Sequence, residues 1–168
     1  GGTAKIQMFG SGPAIELIGS HQGTADPGGF RPEQWQHERM PTLGDLEIEG
    51  HQPQADGIRI RGVMQATLTG LLIRHVRHAI HVTERARNLL VSHCHLYHNT
   101  GIGIFFDNLN LHQANIVGSH ISYNQQGGMR IVNSEIRNLQ ITGNDIEYNN
   151  FRAFGGPIEQ ALPTAEIW

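Results

Sequence analysis

The sequence predicts an all-β solenoid, in which short parallel strands coil into stacked rungs around an aliphatic core. Three observations lead to this prediction. One alternating strand recurs along the chain, glycine is abundant at 21 of 168 residues, and charged residues make up only 16%. Alternation of apolar and polar residues is the signature of a half-buried strand. A strand that recurs at a nearly fixed period indicates a repeat architecture.

The clearest repeat is a strand with two apolar positions. Its second apolar position is occupied in turn by Ile60, Val82, Ile104 and Ile131. These residues recur at intervals of roughly 22 to 27 residues, the length of one solenoid coil. An earlier copy is expected at residues 14–18. Stacking would place equivalent residues about 4.8 Å apart in one inward column.

Two further strands are predicted in each coil. The second series is assigned to residues 6–10, 46–50, 66–70, 89–93, 114–118 and 139–143. The third series centres on Ile73, Leu96, Ile121 and Ile146. Each copy again alternates apolar with polar residues, so each strand is expected to bury one face.

Three asparagines, Asn99, Asn124 and Asn149, occupy one equivalent turn position. Stacked asparagines can pass side-chain hydrogen bonds from coil to coil, and Asn tolerates left-handed backbone better than most residues. The pattern therefore favours an asparagine ladder. The alternative is a set of unrelated turn asparagines.

One domain over residues 1–168 is expected, with about five to six coils. Residues 20–45 break the period and predict an insertion on one flank, where such segments often shape a binding surface. Residues 151–163 form a second irregular excursion. Neither end resembles a capping coil, which favours a piece of a longer solenoid.

Composition argues against several partners. The formal net charge of −3 provides no basic surplus for nucleic acid. No apolar run reaches the length of about 18 residues that a membrane span needs. The single cysteine, Cys94, excludes an internal disulfide framework. We therefore expect no nucleic-acid or membrane partner, and the sequence predicts no cofactor.

The repeat resembles the right-handed parallel β-helix repeats of the pectate-lyase-like superfamily, including the NosD-like repeats. Residues 101–104 (Gly-Ile-Gly-Ile), 115–124 (Asn-Ile-Val-Gly-Ser-His-Ile-Ser-Tyr-Asn) and 138–149 (Asn-Leu-Gln-Ile-Thr-Gly-Asn-Asp-Ile-Glu-Tyr-Asn) carry the resemblance. It covers residues 46–150 well and residues 5–19 more weakly. It implies a right-handed parallel β-helix, a polysaccharide partner and an extracellular, cell-surface or periplasmic location.

The same resemblance leaves the activity open. Its members include polysaccharide lyases, glycoside hydrolases, uronan epimerases and phage tailspikes, and a shared fold does not imply a shared function. Signature runs of polygalacturonases and alginate epimerases are absent from the sequence, which lowers the expectation of an enzyme. The competing function is a non-enzymatic scaffold, adhesin or tailspike-like module. Open coil ends would also allow end-to-end self-association, because unpaired strand edges recruit partners.

The resemblance places a substrate groove on the outer face of the first strand series. The outward column predicted there is Glu16, Arg59, His81, Gly103 and Arg130. Elimination or epimerisation of an acidic polysaccharide needs a base for the proton alpha to the uronate carboxylate and cations for the carboxylate itself. His81 is the predicted base. Arg59 and Arg130 are the predicted carboxylate clamps, since guanidinium groups bind carboxylates with a bidentate fork.

Further candidates flank this column. Phe105 or Phe106 would stack on a sugar ring for which Gly103 leaves room, and other contacts are expected from Glu16, Arg61 and Asn133. Glu84 and Asp107 lie at neighbouring turns and are the candidate carboxylate pair for hydrolysis, which needs two such groups across the scissile bond. Two alternatives stay open, because Arg, His and Thr decorate any exposed β-helix face: glycan contact without catalysis, and plain solvated surface.

Eight of the eleven histidines lie between His75 and His120. His93, Cys94, His95 and His98 resemble a metal-ligand cluster by composition. Strand geometry places His98 beyond a further strand and its turn, so no metal site is predicted. Structural columns are expected instead: His95 near His120 and Asp145, and His75 and His98 aligned with Tyr123 and Tyr148. Cys94 is expected level with Leu71, Ser119 and Asn144.

Overall fold

A computed structural model describes residues 4–22, 29–149 and 166–168. It shows fifteen strands and one short helix, α1 (Pro32–His37), in these residues. None of the described helical residues forms a segment long and apolar enough to cross a membrane. The strands are β1 (Ala4–Met8), β2 (Gly12–Ile18), β3 (Thr42–Gly44), β4 (Leu46–Gly50), β5 (Ala55–Met64), β6 (Thr67–Thr69), β7 (Leu72–Arg74), β8 (Ile80–Arg87), β9 (Leu89–Ser92), β10 (His95–Tyr97), β11 (Ile102–Val117), β12 (His120–Ser122), β13 (Gly127–Val132), β14 (Glu135–Thr142) and β15 (Asp145–Glu147).

The strands stack into three parallel faces, which confirms the predicted solenoid. The first face contains β2, β5, β8, the start of β11 and β13. The second face contains β3, β6, β9, the end of β11 and β14. The third face contains β1, β4, β7, β10, β12 and β15. The 16-residue strand β11 bends from the first face onto the second and joins them into one hydrogen-bonded sheet.

Four coils run without interruption from Leu46 to Thr142, fewer than the five to six expected. The coil before them contains β1, β2 and β3 but is split by the insertion, and β15 begins the coil after them. The irregular stretch predicted at residues 151–163 lies outside the described residues.

The predicted register of the first face is wrong by two residues in one coil. Ile60 pairs with Val82 as expected, but Val82 pairs with Phe106, whereas Ile104 pairs with Ile80. A shift of two residues preserves the alternation of inward and outward side chains, so a period-2 pattern cannot detect it. The length of the preceding turn sets the register instead.

The assignment of residues 6–10 and 46–50 to the second strand series is also wrong. Ile6 pairs with Ile48, and Ile48 pairs with Ile73, so these strands belong to the third face. The second-face strand of the first coil is β3, which pairs with β6 and lies inside the insertion predicted at residues 20–45. The insertion therefore ends before Thr42. Both series have the same alternating pattern, and the insertion hides the true order.

The core is a set of aliphatic columns running along the solenoid. On the third face, Ile48, Ile73, Leu96 and Ile121 are fully buried one above the other. Leu68, Val91 and Ile116 form the equivalent column of the second face. Each buried aliphatic side chain stabilises the fold by about 1.5–3 kcal/mol.

The asparagine ladder is present. Asn99 Nδ2 donates to Asn124 Oδ1 at 2.8 Å, and Asn124 Nδ2 donates to Asn149 Oδ1 at 2.8 Å. Asn149 Nδ2 donates in turn to Glu166 Oε2 at 2.6 Å. The left-handed residue lies just before the asparagine at His98, Tyr123 and Tyr148, and His75 has the same left-handed backbone in the preceding coil, where Val76 takes the place of the asparagine. The column predicted for these four rings is confirmed by successive ring contacts.

Asn124→Ala is expected to lower the free energy of unfolding by about 3 kcal/mol, because it leaves the Asn99 amide and the Leu96 carbonyl without their buried partner. The matched control is Asn115→Ala, on a half-buried position of β11, with an expected loss below about 0.5 kcal/mol. Urea denaturation measures both. Equal losses in the two variants would contradict a structural role for the ladder.

Candidate functional site

The outward column of the first face is the candidate site, with one correction to its predicted members. His81 lies between Arg59 and Phe105, and Phe105 pairs with Arg130. Phe105 therefore occupies the position predicted for Gly103. A Cβ atom on Gly103 would lie 2.6 Å from the Gly128 carbonyl oxygen, so this glycine allows two coils to approach closely. It does not open space for a sugar.

His81 is held by one carboxylate and one aromatic ring. Its Nε2 lies 3.3 Å from Asp107 Oδ2, and its ring stacks on Phe105 with centroids 5.1 Å apart and planes at 15°. The side chain is 17% exposed. Burial lowers the pKa of His81, and the hydrogen bond that His81 donates to Asp107 opposes this shift without cancelling it. The imidazole is therefore neutral near pH 7 and oriented by Asp107.

The two arginines beside His81 share one carboxylate. Glu16 Oε1 accepts hydrogen bonds from Arg59 Nε at 2.7 Å and from Arg61 Nε at 3.0 Å. The hydrogen bond from Arg59 is the main cause that holds the pKa of Glu16 below its usual range. Glu16 thus orients Arg59 and Arg61, and its single negative charge neutralises only one of their two positive charges.

Arg130 closes the column at its other end. Its guanidinium carbon lies 4.0 Å from the centroid of the Trp168 ring, in a cation–π contact. Its Nε is buried and makes no hydrogen bond to the described residues. A Met129–Ile167 bridge fixes the position of Trp168 beside β13.

The structure corrects the role predicted for Phe106. This ring is fully buried between Val82 of the preceding coil and Ile131 of the following coil, so it belongs to the core and cannot stack on a sugar. Asn108 takes the turn position next to Glu84 and Asn133, and all three have left-handed backbone.

The predicted carboxylate pair is engaged with different partners. Asp107 contacts His81 and accepts a hydrogen bond from Asn108 Nδ2 at 2.7 Å. Glu84 lies 3.9 Å from Arg61 Nη1. Glu84 also lines a surface pocket of about 410 Å³ together with Asn133.

Sequence reasoning missed His78, whose ring contacts the rings of His81 and Phe105. Its Nδ1 accepts a hydrogen bond from the Ile102 backbone N–H at 3.2 Å, and its ring lies 5.1 Å from that of Phe105. Burial lowers the pKa of His78 to about 4. Because His78 precedes β8 in a turn, no strand pattern in the sequence distinguishes it.

The insertion also contributes residues that the sequence did not single out. A pocket of about 530 Å³ lies between the insertion and the solenoid, lined by Phe30, Trp35 and Arg87 among others. Trp35 is 48% exposed, and Arg39 lies 4.4 Å from its ring centroid. The aromatic residues just before and within α1 were the available signal for this pocket.

One group of side chains in the described part of the chain could hold a metal ion. His95 pairs with His120 and His120 with Asp145, so the predicted column exists. Ligand atoms of His120, Asp145 and Glu147 lie within 4.8 Å of one another on the outer wall of the third face. Cys94, predicted to lie level with Ser119, is buried, and its backbone N–H donates a hydrogen bond to Ser119 Oγ.

Stability is expected to decrease as the pH falls from about 6.5 to 4, because burial lowers the pKa of both His21 and His78 from 6.5 to about 4. In this window the unfolded chain binds protons that the folded chain does not, so acid favours unfolding. His78→Asn keeps an acceptor near the Nδ1 position and removes the titration. Urea denaturation across this range should show a smaller pH dependence for the variant. An unchanged slope would contradict the buried neutral His78.

The comparisons with known proteins agree with the three parallel faces. Residues 34–158 match the family described as the right-handed beta helix region. No curated protein and no solved structure matches the chain. The match covers most of the chain and adds the handedness of the coil to the observed stacking. The chain therefore belongs to the right-handed β-helix family.

Proposed function

We propose that the first face binds an acidic polysaccharide and that His81 acts on it as a general base, in an elimination or an epimerisation. The right-handed β-helix fold suggests a carbohydrate-related or structural scaffold. The observation that carries the finer proposal is the His81–Asp107 pair stacked on Phe105. The protein would act outside the cell, at the cell surface or in the periplasm, where such polysaccharides occur.

The hydrogen bond to Asp107 supports the role of base. A carboxylate oxygen can only accept, so neutral His81 carries its proton on Nε2 and keeps the lone pair on Nδ1. Asp107 would also stabilise the imidazolium that forms when Nδ1 takes up a proton. The lowered pKa of His81 keeps the lone pair available at neutral pH.

The two chemical outcomes share their first step. Nδ1 of His81 removes the proton alpha to the uronate carboxylate, and the electron pair passes into the carboxylate. In elimination, the bond to the glycosidic oxygen on the next ring carbon then breaks, a carbon–carbon double bond forms, and the oxygen leaves with the electron pair of the broken bond and takes up a proton from water. In epimerisation, water on the opposite side gives a proton to the same carbon, and His81 later releases its own proton to solvent.

The arginines supply the charge that this step needs. Negative charge develops on the uronate carboxylate as the proton leaves, and cations fixed beside it stabilise that charge. Arg59 lies directly across from His81 and is held through its Nε by Glu16. The hydrogen bond to Glu16 uses only Nε of Arg59 and does not involve Nη1 or Nη2. Phe105 offers an aromatic surface in the same column, next to Arg130.

His81→Asn is expected to reduce cleavage of a uronan by at least about 100-fold, because the base is removed. Asp107→Asn should reduce it by about tenfold or more, since the imidazole loses its orienting carboxylate. The assay is ultraviolet absorbance of the unsaturated uronate, with proton exchange at the alpha carbon as the readout for epimerisation.

The matched control is His95→Asn, an exposed histidine on the third face, which should leave the activity unchanged. Full activity in His81→Asn would refute the base assignment. Polysaccharide binding without turnover in the unaltered protein would refute catalysis and leave recognition standing.

A second candidate, glycan recognition without catalysis, is favoured by the pocket of the insertion. An exposed aromatic ring such as Trp35 beside cationic side chains suits sugar rings and their acidic substituents. Trp35 and Phe30 lie in tilted contact with centroids 5.8 Å apart, and Arg87 covers Phe30 at 4.9 Å.

Trp35→Ala is expected to weaken polysaccharide binding by about tenfold, with little loss of stability because nearly half of the side chain is exposed. Affinity electrophoresis in gels containing uronans measures the binding. Phe9→Ala, which removes a ring that is 72% exposed outside this pocket, serves as the control. Unchanged mobility shifts in both variants would rule out this pocket as a glycan subsite.

A further inference from the structure

A third pocket, of about 400 Å³, lies where the insertion leaves the first coil. It is lined by His21, Arg61, Gly62, Glu84, Arg85 and Asn110, among others. The coil approaches the start of the insertion closely here: a Cβ atom on Gly62 would lie 2.2 Å from the Gly19 carbonyl oxygen. The His21 backbone N–H also donates to the Gly62 carbonyl oxygen at 3.0 Å. Backbone contacts therefore fix His21 against the solenoid.

Arg85 is a buried cation without a carboxylate partner among the described residues. Its side chain is only 7% exposed. Its Nε donates to His21 Nε2 at 3.3 Å, and its Nη1 donates to Asn110 Oδ1. Its Nη2 is buried from solvent and makes no hydrogen bond to any residue that the structure describes. A buried charge with only neutral partners and an unused donor is costly unless something else neutralises it.

The surroundings of Arg85 increase this cost. Burial is the main cause that lowers the pKa of Arg85, and the positive charges of Arg137 and Arg87 lower it further. Glu135 opposes them. Glu84 is mostly exposed and lies against Arg61 at the rim of the pocket.

His21 provides a second unused donor in the same pocket. It is 1% exposed, and its pKa is lowered to about 4, mainly by burial, so it is neutral. Because Nε2 accepts from Arg85, the proton of the neutral ring lies on Nδ1. This Nδ1 is buried and has no partner among the described residues. Stacking on Phe30, with centroids 4.8 Å apart, fixes the plane of the ring.

We propose that this pocket binds an oxyanion, whose oxygens accept hydrogen bonds from Arg85 Nη2 and His21 Nδ1. A carboxylate, sulfate or phosphate group meets this requirement, because each carries negative charge and accepts hydrogen bonds from several directions. Two fixed donors, one of them cationic, on residues that both line this pocket match this chemistry. The inference is independent of catalysis at His81, because its two donors, Arg85 and His21, lie outside the column that contains His81.

The test measures the thermal unfolding midpoint at increasing concentrations of sodium sulfate, sodium phosphate or sodium glucuronate. Each titration is compared with sodium chloride at equal ionic strength. At least one oxyanion should give a saturable rise beyond chloride. The strongest probe then distinguishes a free inorganic anion from the carboxylate of a sugar. A response that equals that of chloride for all three probes would overturn the proposal.

Two variants assign the response to Arg85. Arg85→Met should weaken oxyanion binding by at least about tenfold, and it should fold, because removing an unpaired buried charge is often neutral or stabilising. Asn110→Asp places a carboxylate beside Arg85 and should likewise abolish the response. Arg74→Met is the matched control, since Arg74 is neutralised by Glu47 and Glu49, and it should keep the response. An undiminished response in Arg85→Met or in Asn110→Asp would overturn the proposal.

One further variant tests an internal neutralising group. Asp26, close in sequence to His21, lies outside the described residues. Asp26→Asn should leave the oxyanion response unchanged. A response that appears or strengthens about tenfold in this variant would assign the neutralising carboxylate to the chain itself and would overturn the proposal.

Discussion

The fold depends on one constraint: every coil must present an aliphatic side chain directly above that of the coil below. Ile48, Ile73, Leu96 and Ile121 meet it on the third face, and the parallel hydrogen-bond ladders keep them in register. Once these columns are filled, the outward residues are free to differ from coil to coil. The same constraint explains why Arg59, His81, Phe105 and Arg130, with no chemistry in common, come to lie in one line.

The first face and the pocket of Arg85 use buried polar groups in opposite ways. On the first face, His81 has its carboxylate partner, and Glu16 satisfies Arg59 and Arg61, so the site is ordered without a ligand. In the pocket of Arg85, one hydrogen bond joins Arg85 to His21, but Arg85 Nη2 and His21 Nδ1 have no partner among the described residues. Preorganised groups suit a reaction, in which charge develops late, whereas unsatisfied groups suit the binding of a ligand that brings its own charge.

Periodicity in the sequence predicted the solenoid, the second-face column of Leu68, Val91 and Ile116, and the asparagine ladder, because these depend on residues that recur once per coil. It could not predict the register around Phe106, since a slip of two residues leaves the pattern of inward and outward positions unchanged. His81, Arg59 and Arg130 were correctly placed on the outer face, but the partnership of His81 with Asp107 required that register. The pocket of His21 and Arg85 could not be foreseen, because an insertion without periodicity meets the coils there.

The asparagine ladder has a direction as well as a position. Each amide donates toward the coil that follows, and the last described amide donates to the carboxylate of Glu166. The column is therefore a row of aligned dipoles whose positive end lies against a negative charge, an arrangement that lowers its electrostatic energy. Duplication of a coil in tandem would add one more dipole in the same sense and leave both neighbours satisfied. A solenoid built this way can lengthen by gene duplication without redesign of its turns.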